Sequence, residues 1–258
     1  MTQHITGIPF RDKHHRKQTI GLIYQDEQIL IVDKPAGLTV IPDRWNPEAD
    51  TLQTLCEGHL NNRLLVVHRL DRDTSGIVLF ARDAEAHRFL NECFQSRDVQ
   101  KTYLAIVDGV PRESEGEIDA PIERHPGGKK MWVARKGKAA LTRYQLVEKY
   151  GTLSLLKVFP ESGRTHQIRV HLASIGLPLL VDPLYGTRDR FDLSEVKSRY
   201  RKKDPFAENP AIIERLTLHA AALQFPHPNS RETREFSAPL PRDFRATLKQ
   251  LEKWGRDF

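Results

Sequence analysis

Apolar residues along this chain fall mostly into short blocks or alternate with polar ones, and only four segments carry the three-and-four spacing of a helix. The run Ile20 to Tyr24, the polar turn Gln25-Asp26-Glu27 and the run Ile29 to Asp33 predict two strands joined tightly, ending at Lys34-Pro35-Ala36-Gly37. Further strands are predicted at Leu64 to Val67, Ile77 to Ala81, Lys101 to Asp108, Leu141 to Val147 and Leu153 to Phe159, with a last pair at Leu216 to Phe225 and Thr233 to Ser237. The helical segments are a short one carrying Leu52, Leu55 and Cys56, one from about Asp83 with Ala86, Phe89, Leu90, Cys93 and Phe94 on a face, Thr165 to Gly176, and Asp243 to Trp254. In the third, Ile168, Leu172 and Ile175 form the expected apolar stripe and Gly176 a natural left-handed cap. Strands that follow one another through turns, with helices at irregular intervals, predict an α+β fold with a mainly antiparallel sheet flanked by helices.

Residues 1–18 show no periodicity and are mostly polar or basic, through Arg11, Lys13, His14, His15, Arg16 and Lys17. They read as a flexible arm able to touch phosphate, which leaves 19–258 as one domain. At 258 residues and 39% hydrophobic content the chain can bury a large core. Its formal net charge of +6 favours an anionic partner. Two basic stretches are candidates for phosphate contact: Arg124 to Lys138, with Lys129, Lys130, Arg135 and Lys136, and Arg188 to Lys203, with Arg190, Lys197, Arg199, Arg201 and Lys202. The two cysteines, Cys56 and Cys93, lie within helical apolar patterns and read as core residues rather than as a disulfide or a zinc site. No apolar run approaches the ~18 residues of a membrane span, and a reducing cytoplasm is the expected location.

Between two predicted strands lies a charge-dense loop, His68-Arg69-Leu70-Asp71-Arg72-Asp73-Thr74-Ser75-Gly76. Such a loop can present a carboxylate into a cleft, and Asp71, between Arg69 and Arg72, is suited to remain an anion. An isolated aspartate in an arginine-rich loop is more often a surface ion pair; the whole string is more specific than that. It resembles the first motif, H-R-L-D-x-x-T-S-G, of the RluA family of pseudouridine synthases, matching every fixed position. Lys101-Thr102-Tyr103 resembles the family's K-x-Y motif, and Ser162-Gly163-Arg164-Thr165-His166-Gln167-Ile168-Arg169-Val170-His171-Leu172 resembles its G-R-x-H-Q-[IL]-R-x-H segment. Looser similarity runs from Ile29 to Ser237-Ala238-Pro239-Leu240.

The resemblance implies the pseudouridine synthase fold around a basic RNA-binding cleft, and an enzyme that isomerises uridines of ribosomal or transfer RNA without a cofactor. Asp71 is then the catalytic carboxylate, Arg164 its ion-pair partner, and Tyr103 a ring that stacks on the uracil and helps move a proton. Arg69, Lys101 and Arg169 become candidates for RNA contact, Arg69 by filling the space that a flipped base leaves. A carboxylate could attack the ribose, attack the base, or abstract a ribose proton, and the sequence does not choose among them. Many relatives carry a small RNA-binding domain before the catalytic one; none is expected here, and a monomer with no metal and no membrane partner is the simplest organisation. Two alternatives compete: a metal-dependent nuclease using Asp71 and Asp73, which the flanking arginines disfavour, and an RNA-binding protein with an idle site. Phosphate-loop, zinc-helix and dinucleotide fingerprints are missing from the sequence, and His166 and His171, five apart, are poorly spaced on a helix for one metal.

Overall fold

In the computed structural model, which describes residues 7–12, 15–42, 49–128, 130–197, 200 and 209–255, the chain begins with three antiparallel strands. These are β1 (Ile8–Arg11), β2 (Lys17–Gln25) and β3 (Ile29–Lys34). Ile8 pairs with Ile20 and Arg11 with Lys17, so part of the expected flexible arm is strand. Four residues that include a proline are too few to show a period, and only Ile8 among them is buried. Residues 1–6, Lys13 and His14 of that arm lie outside the described residues. Next come α1 (Leu52–Leu60), capped by Thr51 and Thr54, β4 (Leu65–Val66), β5 (Ser75–Ala81) and α2 (Ala84–Ser96), capped by Asp83. Strand β3 pairs antiparallel with β5 from Ile29 opposite Ala81 to Lys34 opposite Gly76. Ile29 to Val32 and Ile77 to Ala81 are inaccessible to solvent, as continuous apolar strands covered on both faces must be.

Contacts divide the chain into two units, and the elements so far belong to the first, 1–101 with 220–239. The second comprises 102–219 and 240–258. Strand β6 (Gln100–Asp108) leads into it, followed by β7 (Glu115–Asp119), β8 (Ile122–Arg124), β9 (Met131–Val133), β10 (Leu141–Tyr150), β11 (Leu153–Pro160) and α3 (Gln167–Ser174). After these come β12 (Phe191–Asp192), α4 (Leu193–Val196) and β13 (Ala211–Ile213). The strands run β6-β11-β10-β7, each pair antiparallel, while β8 and β9 form a separate hairpin. Alternate residues of β6 enter different cores: Ala105 and Val107 pack with Ile168 and Leu172 of α3, whereas Ile106 packs with Phe191, Phe244, Leu248 and Leu251.

Strand β14 (Leu218–Pro226) returns the chain to the first unit, where β15 (Thr233–Ser237) pairs with it antiparallel. Helix α5 (Arg242–Trp254) then completes the second unit, burying Phe244, Thr247, Leu248 and Leu251 at helical spacing. Its first turn is fixed by Arg215, which grips both oxygens of Asp243 at 2.7 Å. The α+β class and the antiparallel pairing follow the sequence pattern. Helix α3 differs from it by starting at Gln167 instead of Thr165, because His166 is left-handed (φ 54°). At its other end Ile175 is 43% exposed and does not join the stripe of Ile168 and Leu172, though Gly176 is left-handed as expected. Among the described residues, no helix is long and apolar enough to cross a membrane.

Candidate active site

The loop from His68 to Thr74 is held in place from four sides, all within the first unit. Strand β4 ends at Val66, paired with Phe80 of β5. Just beyond it the ring of His68 takes over, accepting the Leu79 N–H on Nε2 at 3.0 Å and stacking on Phe94 of α2 at 5.2 Å. Burial, with Lys101 adding to it, pushes the His68 imidazole down to about 3, so the ring is neutral and Nε2 stays an acceptor. At the loop's far end Gly76 has φ 118°, and a Cβ there would lie 2.1 Å from the Ala220 carbonyl oxygen. Only glycine fits against β14 so closely. Thr74 and Ser75 are buried, and the Thr74 N–H closes a turn on the Asp71 carbonyl at 3.2 Å.

The remaining support is Lys34, the last residue of β3, which is 0% exposed. Its ammonium donates to the carbonyls of Pro35 at 2.9 Å, Leu38 at 2.8 Å and Arg72 at 2.9 Å. Three hydrogens meet three acceptors, the pairing a buried ammonium needs. The Arg72 carbonyl also accepts from Gly37 N–H, and Arg72 Nε donates to the Gly37 carbonyl at 3.1 Å. A lysine inside the fold therefore anchors the residue next to Asp71. On the sequence alone Lys34 is only the start of a turn, and its signal, a lysine ending an apolar strand before proline, is slight. Leu70 is buried between an exposed Arg69 and a half-buried Asp71. Of the motif's fixed positions, His68, Leu70, Thr74, Ser75 and Gly76 thus serve the scaffold, leaving Arg69 and Asp71 as the side chains with chemistry to offer.

The second unit contains a similar construction between β11 and α3. Gln167 is buried and donates to the Leu141 carbonyl at 2.9 Å and Thr142 Oγ1 at 3.0 Å, while its Oε1 accepts from Ser162 Oγ at 2.7 Å and Arg164 N–H at 3.1 Å. Thr142 Oγ1 lies 2.9 Å from His171 Nδ1, and His171 Nε2 lies 2.9 Å from the Ala120 carbonyl. Nε2 must be the donor, since a carbonyl only accepts, so Thr142 donates to Nδ1. Burial lowers the pKa of His171, against smaller opposing effects of the Ala120 carbonyl and Asp119. His166 Nδ1 meets the Tyr185 hydroxyl at 2.8 Å, and that hydroxyl also accepts the Met131 N–H at 2.8 Å. Arg164 is the exposed member of this set, its Nε donating to the Ala139 carbonyl at 3.1 Å.

Arg169, expected as an RNA contact, is turned inward. Its guanidinium is buried, forms two 2.8 Å bonds to the carboxylate of Asp182 and lies 5.0 Å from the centre of the Tyr185 ring. Its position on α3 faces the core rather than solvent. Tyr103 is half-buried on β6 opposite Val158, with its ring against the α3 core. Lys101 is half-buried at the end of the first unit. Asp71, Arg69 and Lys101 thus belong to the first unit, and Tyr103, Arg164 and Arg169 to the second.

The basic stretches also separate. Arg124, Lys130, Arg135 and Lys136 are exposed, whereas Lys129 lies outside the described residues. In the other stretch Arg188 pairs with Asp108 and Glu195, Arg190 pairs with Asp192, and Lys197 sits over Trp254, so these three have structural duties. Arg199, Arg201 and Lys202 lie outside the described residues.

Residues 28–174 match the sequence pattern of the RNA pseudouridylate synthase family. The chain belongs to that family. The matched span runs from just before β3 to the last residue of α3 and so contains both loops, Lys34 and Tyr103. A ribosomal large subunit pseudouridine synthase D of Xanthomonas campestris is 39% identical over 239 residues, covering 91% of this chain and 70% of the relative. Its namesake from Nitrosomonas europaea is 38% identical over 259 residues, covering 96% and 70%. Among solved structures, human RNA pseudouridylate synthase domain containing 4 has a TM-score of 0.69 at 30% identity, covering 90% of this chain and 93% of its own. The protein is therefore an RNA pseudouridine synthase, an isomerase acting on RNA, and the nuclease alternative is set aside.

Proposed function

We propose that this synthase acts on ribosomal RNA of the large subunit, with Asp71 as the catalytic carboxylate, Arg164 as the cation that serves it and Tyr103 as the ring that stacks on the uracil. The observation that carries the assignment of Asp71 is the loop's division of labour: buried Lys34, neutral His68 and Gly76 hold the backbone, and Asp71 is the carboxylate of the motif's fixed positions. The names of the Xanthomonas and Nitrosomonas relatives support large-subunit ribosomal RNA as the substrate.

The reaction breaks the bond from ribose C1′ to uracil N1, turns the base and joins C1′ to C5; C5 gives up a proton and N1 gains one. Redox state is unchanged. As the glycosidic bond breaks, positive character develops at the sugar, which a fixed carboxylate stabilises or captures. Arg164 would orient that carboxylate, and the Tyr103 phenol would help carry the C5 proton. The uridine must first leave its stack, at a cost of a few kcal/mol, and Arg69 is assigned the space left behind.

Unmodified ribosomal and transfer RNA carrying tritium at C5 of uracil, incubated separately with the enzyme, test the substrate. Tritium release from ribosomal RNA is expected. Release from transfer RNA alone would overturn the substrate assignment.

A further inference from the structure

Among the described residues, Trp132 is an aromatic side chain that the fold leaves in solvent, 42% exposed in the middle of β9. Its neighbours Met131 and Val133 face the other way and pack with Ile122, Ala140 and Val170. The alternation of a strand therefore aims Trp132 outward from a hairpin whose inner face is fixed. The Met131 N–H on the Tyr185 hydroxyl fixes it further, since that hydroxyl also bonds His166, two residues from Arg164. His125 meets the indole in an edge-to-face arrangement, with centroids 5.2 Å apart and an angle of 72°, a contact that can take up one broad face of the indole at most.

The stretch that carries this ring is rich in cations. Arg124, Lys130, Arg135, Lys136 and Lys138 are exposed, and the one acidic residue between 122 and 138 is Glu123, opposite Trp132 in register. A single unsatisfied apolar contact would call for no such cluster of cations. Aromatic faces flanked by Lys and Arg are what unpaired RNA requires, because every base presents a π face and every linkage a negative charge. Rigid mounting matters too: an indole already fixed in place loses little freedom when a base lands on it.

From these observations we infer that Trp132 is a base-stacking residue, and that the β8–β9 hairpin holds an unpaired nucleotide of the substrate RNA while its cations neutralise the adjoining phosphates. The inference rests on the RNA substrate of the proposed function and adds a binding position to it. Trp132 makes the RNA bind and takes no part in the bond changes at the target uridine.

The test combines kinetics with fluorescence, using tritium-labelled ribosomal RNA transcripts and, as binding probes, a ten-nucleotide oligouridylate and a fully paired RNA duplex of equal length. Trp132→Ala should raise KM about tenfold, with kcat at saturating RNA unchanged within twofold. Trp132→Phe should restore most of the loss and Trp132→Leu should not, because leucine keeps the apolar volume but lacks the ring. Oligouridylate should quench wild-type tryptophan emission, the duplex should quench it far less, and Trp132→Phe should abolish the difference. An unchanged KM in Trp132→Ala, or rescue by leucine as good as by phenylalanine, overturns the inference. No tritium release from the wild-type enzyme, with quenching intact, would instead count against the reaction while leaving the stacking site standing.

Discussion

At the scale of single residues, the motif loop depends on side chains turned into the fold. Lys34 donates to three carbonyls from inside the fold, and removing the ammonium while keeping its stem takes that donor from all three, leaving Arg72 only its bond from the Gly37 N–H. Lys34→Met should therefore cost about 2–4 kcal/mol of stability, read from the urea midpoint, and should lower kcat because the carbonyl of Arg72 beside Asp71 loses its anchor. A midpoint within experimental error of wild type would refute the anchoring role. His68 supplies a pH test. Its folded-state pKa of about 3 lies below the unfolded value near 6.5. Between those values the unfolded chain binds a proton that the folded one refuses, so stability present above pH ~6.5 is lost as pH falls, by at most ~1.4 kcal/mol per unit. The melting temperature of His68→Asn should fall less steeply from pH 6.5 to 4.5 than that of wild type, and parallel curves would count against a neutral His68.

At the scale of elements, the two loops owe their shapes to strand ends and to one short helix. Gly76 and Gly176 are both left-handed, at φ 118° and 78°, but only Gly76 has backbone within reach of a new Cβ. Alanine at 176 should cost about 1 kcal/mol, whereas Gly76→Ala should cost about 3 kcal/mol or more, since the Ala220 carbonyl would have to move. Chemical denaturation of the two variants, side by side, measures the difference. Gln167→Leu should leave the fold intact yet lower kcat about tenfold or more, because the Arg164 N–H and Ser162 hydroxyl lose their shared acceptor and the loop loosens. The strands and helices were legible because their apolar periods are long enough to read: β3, β5, β6, β11 and the buried faces of α2 and α5 lie where the pattern puts them. Strand β1 and the β8–β9 hairpin were not, since three or four residues cannot display a period. The motif residues were legible as a string, but not their individual duties. Nothing in R-x-H-Q-x-R-x-H says that Arg169 turns inward to Asp182 while Arg164 stays outside; the fold decides that, through the left-handed His166 that starts the helix two residues later than the pattern suggests.

At the scale of the whole molecule, a net charge of +6 is spread unevenly over basic residues with different work. Arg188, Arg190, Arg215 and Arg169 are held by carboxylates, and the exposed cations of residues 124–138 are not distinguishable from them by composition. RNA affinity should fall steeply with salt through the exposed group. The central claim is narrower: we propose that a single carboxylate, Asp71, on a loop that Lys34, His68 and Gly76 hold in place, performs the isomerisation. The most direct measurement is tritium release from C5-labelled ribosomal RNA by Asp71→Asn, with the dissociation constant for the same RNA determined in parallel. The account expects release to drop by about a thousandfold or more while RNA binding stays within about threefold of wild type. Release within tenfold of wild type would show that the chemistry belongs to another residue.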